Sequence, residues 1–144
     1  MRAETHAISA LLLSLTFGFT LPQALVTLFA SLLPDIDTAE SKLGRRTKYL
    51  SWILKIGLEH RGPIHSILLM IICAAVIHLY FPAFTLPFLL GYGSHLLLDS
   101  LNYKGTRPFW PINYRIKGFI KNGSFMEYTL LVAIITVFLI LHWT

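Results

Sequence analysis

The chain has 144 residues, enough for one domain, and carries a formal net charge of +5. It is 55% hydrophobic and 13% charged, with a mean hydropathy of +0.64. An average soluble domain has about 25% charged residues, so the composition excludes an ordinary soluble domain and points to a membrane protein.

The N-terminus, MRAETHAISALLLSL, has one Arg, then an acid, and no small-residue cleavage site, so no cleavable signal peptide is expected. The first apolar block, roughly 7–33, can be read in two ways. As one helix it would cross the membrane once and set His6 and Asp35 about 44 Å apart. Its middle, FGFTLPQAL, favours two half-length helices in a re-entrant hairpin. Gly18 suits a helix stop, Thr20 and Gln23 have capping-box spacing, and Pro22 falls in a first turn where its missing N–H does no harm. Such a turn at membrane depth is tolerated only where protein covers it. Asp35 and Asp37 follow in SLLPDIDTAES, where one aspartate could serve as an N-cap but two are poorly explained that way.

Between Lys42 and Arg61 lie six of the twelve basic residues, with a short amphipathic interfacial helix expected around Trp52 and Leu54. His60 and His65 then bracket a Gly-Pro in EHRGPIHSILL. Apolar blocks at roughly 64–81 and 85–101, joined by FPAFTLP, predict a helical hairpin broken at its prolines. Cys73, the single cysteine, sits inside the first of these and reads as a buried, inert thiol. The second block contains GYGSHLLLDSL, which puts His95 and Asp99 one turn apart on one helix face. An intramembrane ionisable group costs at least about 2.5–3.5 kcal/mol and is by default a candidate functional group. Five more basic residues lie between Lys104 and Lys121, and a last apolar block, 126–143, opens beside Glu127. Basic residues collect on cytoplasmic loops, so both basic segments are expected to face the cytoplasm. No nucleic-acid motif accompanies them, and no nucleic-acid partner is expected.

The expected architecture is thus an all-α, integral membrane bundle forming one domain over 1–144, a re-entrant hairpin followed by about three membrane helices. Its polar residues gather at segment ends: His6, Asp35, Asp37, His60, His65, His95, Asp99 and Glu127. With the first block folded back on itself, all eight can lie at one membrane level. Imidazole and carboxylate without thiolate suit zinc, with manganese or iron as alternatives. More than four candidate ligands implies two ions about 3.5–4 Å apart, the arrangement that clamps both oxygens of a phosphoryl displacement. His78 and His142 fall outside the set and read as interfacial side chains.

The ordered motifs SLLPDID, HRGPIHS, GYGSHLLLDSL, RPFWP and NGSFMEY resemble the YdjM-like family of bacterial inner-membrane proteins, to which metal-dependent hydrolase activity is ascribed. The resemblance runs from His6 to about Tyr128. That family is distantly similar to the zinc-dependent phospholipase C and single-strand nuclease superfamily of all-α enzymes. Its ligand roles of an early His, a loop Asp and a His-x-x-x-Asp helix would fall to His6, to Asp35 or Asp37, and to His95 with Asp99. His60 and His65 match the family's own HRGxxHS, and Glu127 a late helix carboxylate. The soluble relatives also use an N-terminal amino group and further late histidines, for which the sequence offers no evident counterpart. The resemblance implies a multi-pass protein of the bacterial inner membrane.

The function expected is hydrolysis of a phosphoester in a phospholipid or lipid-linked substrate, with the site on the cytoplasmic side. Asp35, Asp37 and Asp99 are the candidate catalytic carboxylates, and Arg61 and Lys104 the candidates for offsetting phosphate charge, although both also read as ordinary positive-inside residues. The alternative is a non-catalytic metal-binding membrane protein. A transport role fits poorly, because LLMIICAAVI and VAIITVFLIL offer no polar path across the membrane.

Overall fold

The computed structural model describes residues 1–37 and 63–143. The interfacial helix expected around Trp52 and Leu54, together with His60 and Arg61, lies outside them. Among the described residues the chain is helical, with α1 (Ala3–Thr16), α2 (Leu21–Leu32), α3 (Ile67–Tyr80), α4 (Thr85–Ser100) and α5 (Phe125–Trp143). Short 3-10 segments at Leu33–Asp37, Pro63–His65 and Pro82–Phe84 complete the helical structure.

The first apolar block is a helical hairpin. Gly18 adopts φ +60°, a conformation that glycine alone enters without steric cost. Around it the Phe19 N–H donates to the Ser14 carbonyl (3.0 Å) and the Gly18 N–H to that of Leu15 (3.1 Å), so α1 ends in a Schellman motif. At the start of α2 the Thr20 N–H donates to Gln23 Oε1 at 3.0 Å, the return half of a capping box. The Gln23 amide then donates to the Ala83 carbonyl (3.1 Å), tying this turn to the α3–α4 connection.

Helix α4 is the centre of the bundle, packed against α1, α2 and α3, while α5 packs against α1. What these helices bury is unusual for a water-soluble protein. Buried positions are Thr5, His6, Ser9, Ala10 and Ser14 on α1, and Thr27, Ala30 and Ser31 on α2. Leu15, Leu25, Phe29, Ile71 and Leu79 point outward instead. Small and polar residues between helices with large apolar ones outside is the pattern of packing in lipid, where close backbone approach replaces hydrophobic burial. The closest such approach is at Gly91, where an added Cβ would lie 2.2 Å from the Thr27 carbonyl oxygen. An apolar core of Ala30, Ala74, Phe88, Tyr92 and Leu96 fills the space between α2, α3 and α4.

Among the described residues, α5 is the one helix long and apolar enough to cross a membrane, and only 6% of its spanning window is buried against protein. Helix α3 has 14 residues and α4 has 16, both short of the roughly 20 needed to span. The helical blocks therefore fall where the hydropathy puts them, but one membrane-length helix stands where about three were expected.

Candidate metal centre

The site is built on the α4 stripe Gly91–His95–Asp99, whose four-residue spacing aligns all three on one face. The lack of a side chain at Gly91 brings α2 close enough for its last turn to reach His95. There the Ser31 carbonyl, in the last turn of α2, accepts from His95 Nδ1 at 2.7 Å. A carbonyl can only accept, so Nδ1 carries the proton and Nε2 of the neutral ring is the lone-pair nitrogen. That nitrogen lies 3.8 Å from Asp99 Oδ2 and 4.0 Å from Asp35 Oδ1.

Asp35 enters from the Leu33–Asp37 turn that follows α2. His65 enters from the Pro63–His65 turn that precedes α3. This second turn is held firmly: Ser66 Oγ accepts from the Leu69 N–H at 3.2 Å, and the buried Tyr92 hydroxyl donates to the Ile64 carbonyl. His65 Nε2 lies 3.8 Å from the same Asp99 oxygen. One ligand atom from each of Asp35, His65, His95 and Asp99 thus falls within 4.8 Å of the others.

The second oxygen of Asp99 faces another group. Asp99 Oδ1 is 3.5 Å from His6 Nε2 and pairs with the amino group of Met1. The His6 ring stacks on that of His95, with centroids 4.0 Å apart and planes 20° apart. His6, His65 and His95 are wholly buried and Asp99 nearly so, whereas the Asp35 side chain keeps 18% of its surface. Asp35 is therefore the member of the group that opens outward.

These atoms form a group that could hold a cation. Neither ring nitrogen of His6 nor Nε2 of His95 has a hydrogen-bond partner among the described residues. A buried imidazole nitrogen left in this way costs about 1–3 kcal/mol. Ligand atoms around a tetrahedral zinc stand about 3.3 Å apart; here three pairs stand 3.8–4.0 Å apart and the whole group lies within 4.8 Å, so closing on an ion takes side-chain movements of about 0.5–1.5 Å. The donor set, imidazole nitrogen and carboxylate oxygen, suits zinc, manganese or iron. The second contacts also fit: the Nδ1 bond of His95 to a carbonyl is the usual device for aiming a metal-binding Nε2.

Of the eight residues put forward from the sequence, His6, Asp35, His65, His95 and Asp99 come together. Asp37 closes the same 3-10 turn as Asp35. His60, like Arg61, is outside the described residues. Glu127 has protein partners: one carboxylate oxygen accepts from the Arg2 N–H (2.7 Å) and the Thr5 hydroxyl (2.9 Å), and the other from the Gly123 N–H (2.6 Å). With both oxygens engaged, it braces the start of α1 against the start of α5 and stands outside the four-residue group. Lys104 is exposed. His78 lies 3.3 Å from Thr85 Oγ1 and His142 donates to the Phe138 carbonyl, both away from the group. Two participants were missed, the Met1 amino group and the Ser31 carbonyl. Neither is announced by a side-chain type.

The family described as YdjM inner membrane protein matches the chain over residues 1–144. "Inner membrane protein YdjM" of Escherichia coli (strain K12) is 37% identical over 103 residues, covering 67% of this chain and 51% of that protein. "Uncharacterized protein YvsG" of Bacillus subtilis (strain 168) is 32% identical over 108 residues, covering 72% of this chain and 68% of that one. The chain thus spans about half the length of the relative named YdjM. No solved structure matches.

Proposed function

Since the chain belongs to the YdjM family of inner membrane proteins, we propose that it is a multi-pass protein of the bacterial inner membrane that hydrolyses a phosphoester with the help of divalent metal. The observation that carries this reading is the convergence of Asp35, His65, His95 and Asp99 within 4.8 Å, three of them fully buried. Zinc is the favoured ion, with manganese or iron as alternatives. A second ion on the His6 side would share Asp99, whose two oxygens face the two groups of imidazoles.

A lipid-type substrate is supported by the level of the site. Glu127, in the first turn of α5, accepts from the N–H of Arg2, and the neighbouring Met1 amino group pairs with Asp99. These contacts tie the centre to the start of the membrane-length helix, which supports a site at headgroup depth. The basic segments favour the cytoplasmic face.

A divalent cation bound there supplies positive charge that acidifies a water and offsets charge on a phosphoryl group. His65, His95 and Asp99 would hold it, with His6 and Asp99 holding its neighbour. Asp35, the outward-opening carboxylate, would contribute at the mouth and accept the proton of the attacking water. Asp37 is the alternative acceptor, two residues along the same turn. Arg61 and Lys104 remain the candidates for orienting phosphate.

The test is turnover of bis(p-nitrophenyl) phosphate and of phospholipids by the full chain in nanodiscs supplied with zinc or manganese. Asp35→Asn is expected to keep its metal and lose at least about a hundredfold in rate. Equal turnover in wild type, Asp35→Asn and His65→Ala would remove the hydrolase reading. Stoichiometric metal with no turnover would leave a non-catalytic metal-binding protein.

A further inference from the structure

Between α4 and α5 the chain forms a lobe, 101–124, that contributes no residue to the four-residue metal-ligand group. Its two arms are joined by paired backbone bonds: Tyr103 N–H to the Ile120 carbonyl (2.8 Å), and Thr106 and Ile116 exchanging bonds of 2.9 Å. At its base a Cβ on Gly118 would fall 2.0 Å from the Leu101 carbonyl oxygen, so the arms close tightly. A further bond from the Ile67 N–H to the Pro108 carbonyl (2.8 Å) fastens the lobe to the start of α3.

This built loop shows a surface that water does not favour. Phe109, Trp110, Ile112, Tyr114 and Phe119 are all exposed, Ile112 and Phe119 by about two thirds. Exposed apolar side chains in contiguous groups mark an interaction surface. The 101–124 lobe as a whole carries five basic residues and no acidic one. Arg115, Lys117 and Lys121 are exposed, and Lys121 Nζ lies 5.7 Å from the centre of the exposed Tyr103 ring. The lobe runs directly into Phe125, the first residue of the membrane-length helix. Trp and Tyr favour the headgroup layer, and clustered Lys and Arg beside a membrane helix attract anionic lipid.

We propose that the 101–124 lobe is an anionic-lipid collar: its aromatic tip sits in the headgroup layer while Arg115, Lys117 and Lys121 hold phospholipid phosphates around the start of α5. The occupant is a lipid surface and not a protein, because continuity with α5 puts the patch at the bilayer and its charge is of one sign. The inference requires only the membrane location of α5, not the hydrolase reading, and its readout involves neither metal nor turnover.

The experiment uses the full chain in nanodiscs, with Trp52→Phe and Trp143→Phe leaving Trp110 as the sole tryptophan. Its fluorescence is quenched by dibrominated phosphatidylglycerol or dibrominated phosphatidylcholine at equal mole fraction. Quenching by the anionic lipid should be several-fold stronger at low salt, approach parity at about 1 M salt where the Debye length is near 3 Å, and approach parity at low salt in Arg115→Gln/Lys117→Gln/Lys121→Gln. Circular dichroism of that variant should match the parent. Equal quenching by both lipids at low salt would overturn the proposal, as would no quenching by either, which would mean that water or protein covers the tip.

Discussion

The imidazole of His6, on the first helix, lies stacked on that of His95, on the fourth, with centroids 4.0 Å apart. Both face Asp99, but the stack divides the site: His6 approaches Oδ1, while His95 and His65 approach Oδ2. If each side holds an ion, His6→Ala should lower metal content from about two ions per chain to about one. Elemental analysis by mass spectrometry of the purified variant checks this. Complete loss would mean that one ion uses all the ligands.

Gly91 and Gly93 provide a matched pair on α4. A Cβ at Gly91 would sit 2.2 Å from the Thr27 carbonyl, whereas at Gly93 the nearest atom is Met70 Sδ at 3.9 Å. Gly91→Ala must push α2 away from α4, at a cost of about 1–3 kcal/mol for overpacking. It should also break the Ser31–His95 bond and weaken metal binding. Gly93→Ala should be neutral or stabilising by up to about 1 kcal/mol, from helix propensity. Thermal unfolding in detergent with and without metal separates the two, and equal midpoints would contradict the packing described.

Glu127 accepts from three protein donors, so its removal should be felt in folding and not in metal content. Glu127→Ala strands the Arg2 N–H, the Thr5 hydroxyl and the Gly123 N–H, each costing about 1 kcal/mol or more. Glu127→Gln retains one good acceptor and should recover part of that loss. Both should carry wild-type metal when assayed well below their unfolding midpoints. Metal lost from Glu127→Gln while the fold is intact would return this residue to the ligand set.

Much of this arrangement was legible in local chemistry. Gly18, Thr20 and Gln23 announced the hairpin because a positive-φ stop and a helix cap are written in residue type and spacing. The hairpin in turn is what brings His6 to the same end as Asp35. His95 and Asp99 were legible because a four-residue interval on an apolar helix is already a geometry. The remainder depended on contacts between distant segments. Nothing in the residue type of Ser31 says that its carbonyl will orient His95, and nothing in Met1 says that its amino group will reach Asp99. The contacts of Glu127 were hidden for the same reason, since the docking of α1 against α5 supplies two of the three donors that take up its carboxylate.

The reading to be tested is that His65, His95 and Asp99 hold a metal ion, with Asp35 at its mouth. Its most direct test is the metal content of the full chain, purified in detergent and incubated with zinc or manganese, beside His65→Ala, Asp99→Ala and the remote His142→Ala. The account predicts stoichiometric metal in the wild type and in His142→Ala, and at least about a tenfold loss in the two site variants. Trace metal in the wild type, or equal content in all four proteins, would contradict it.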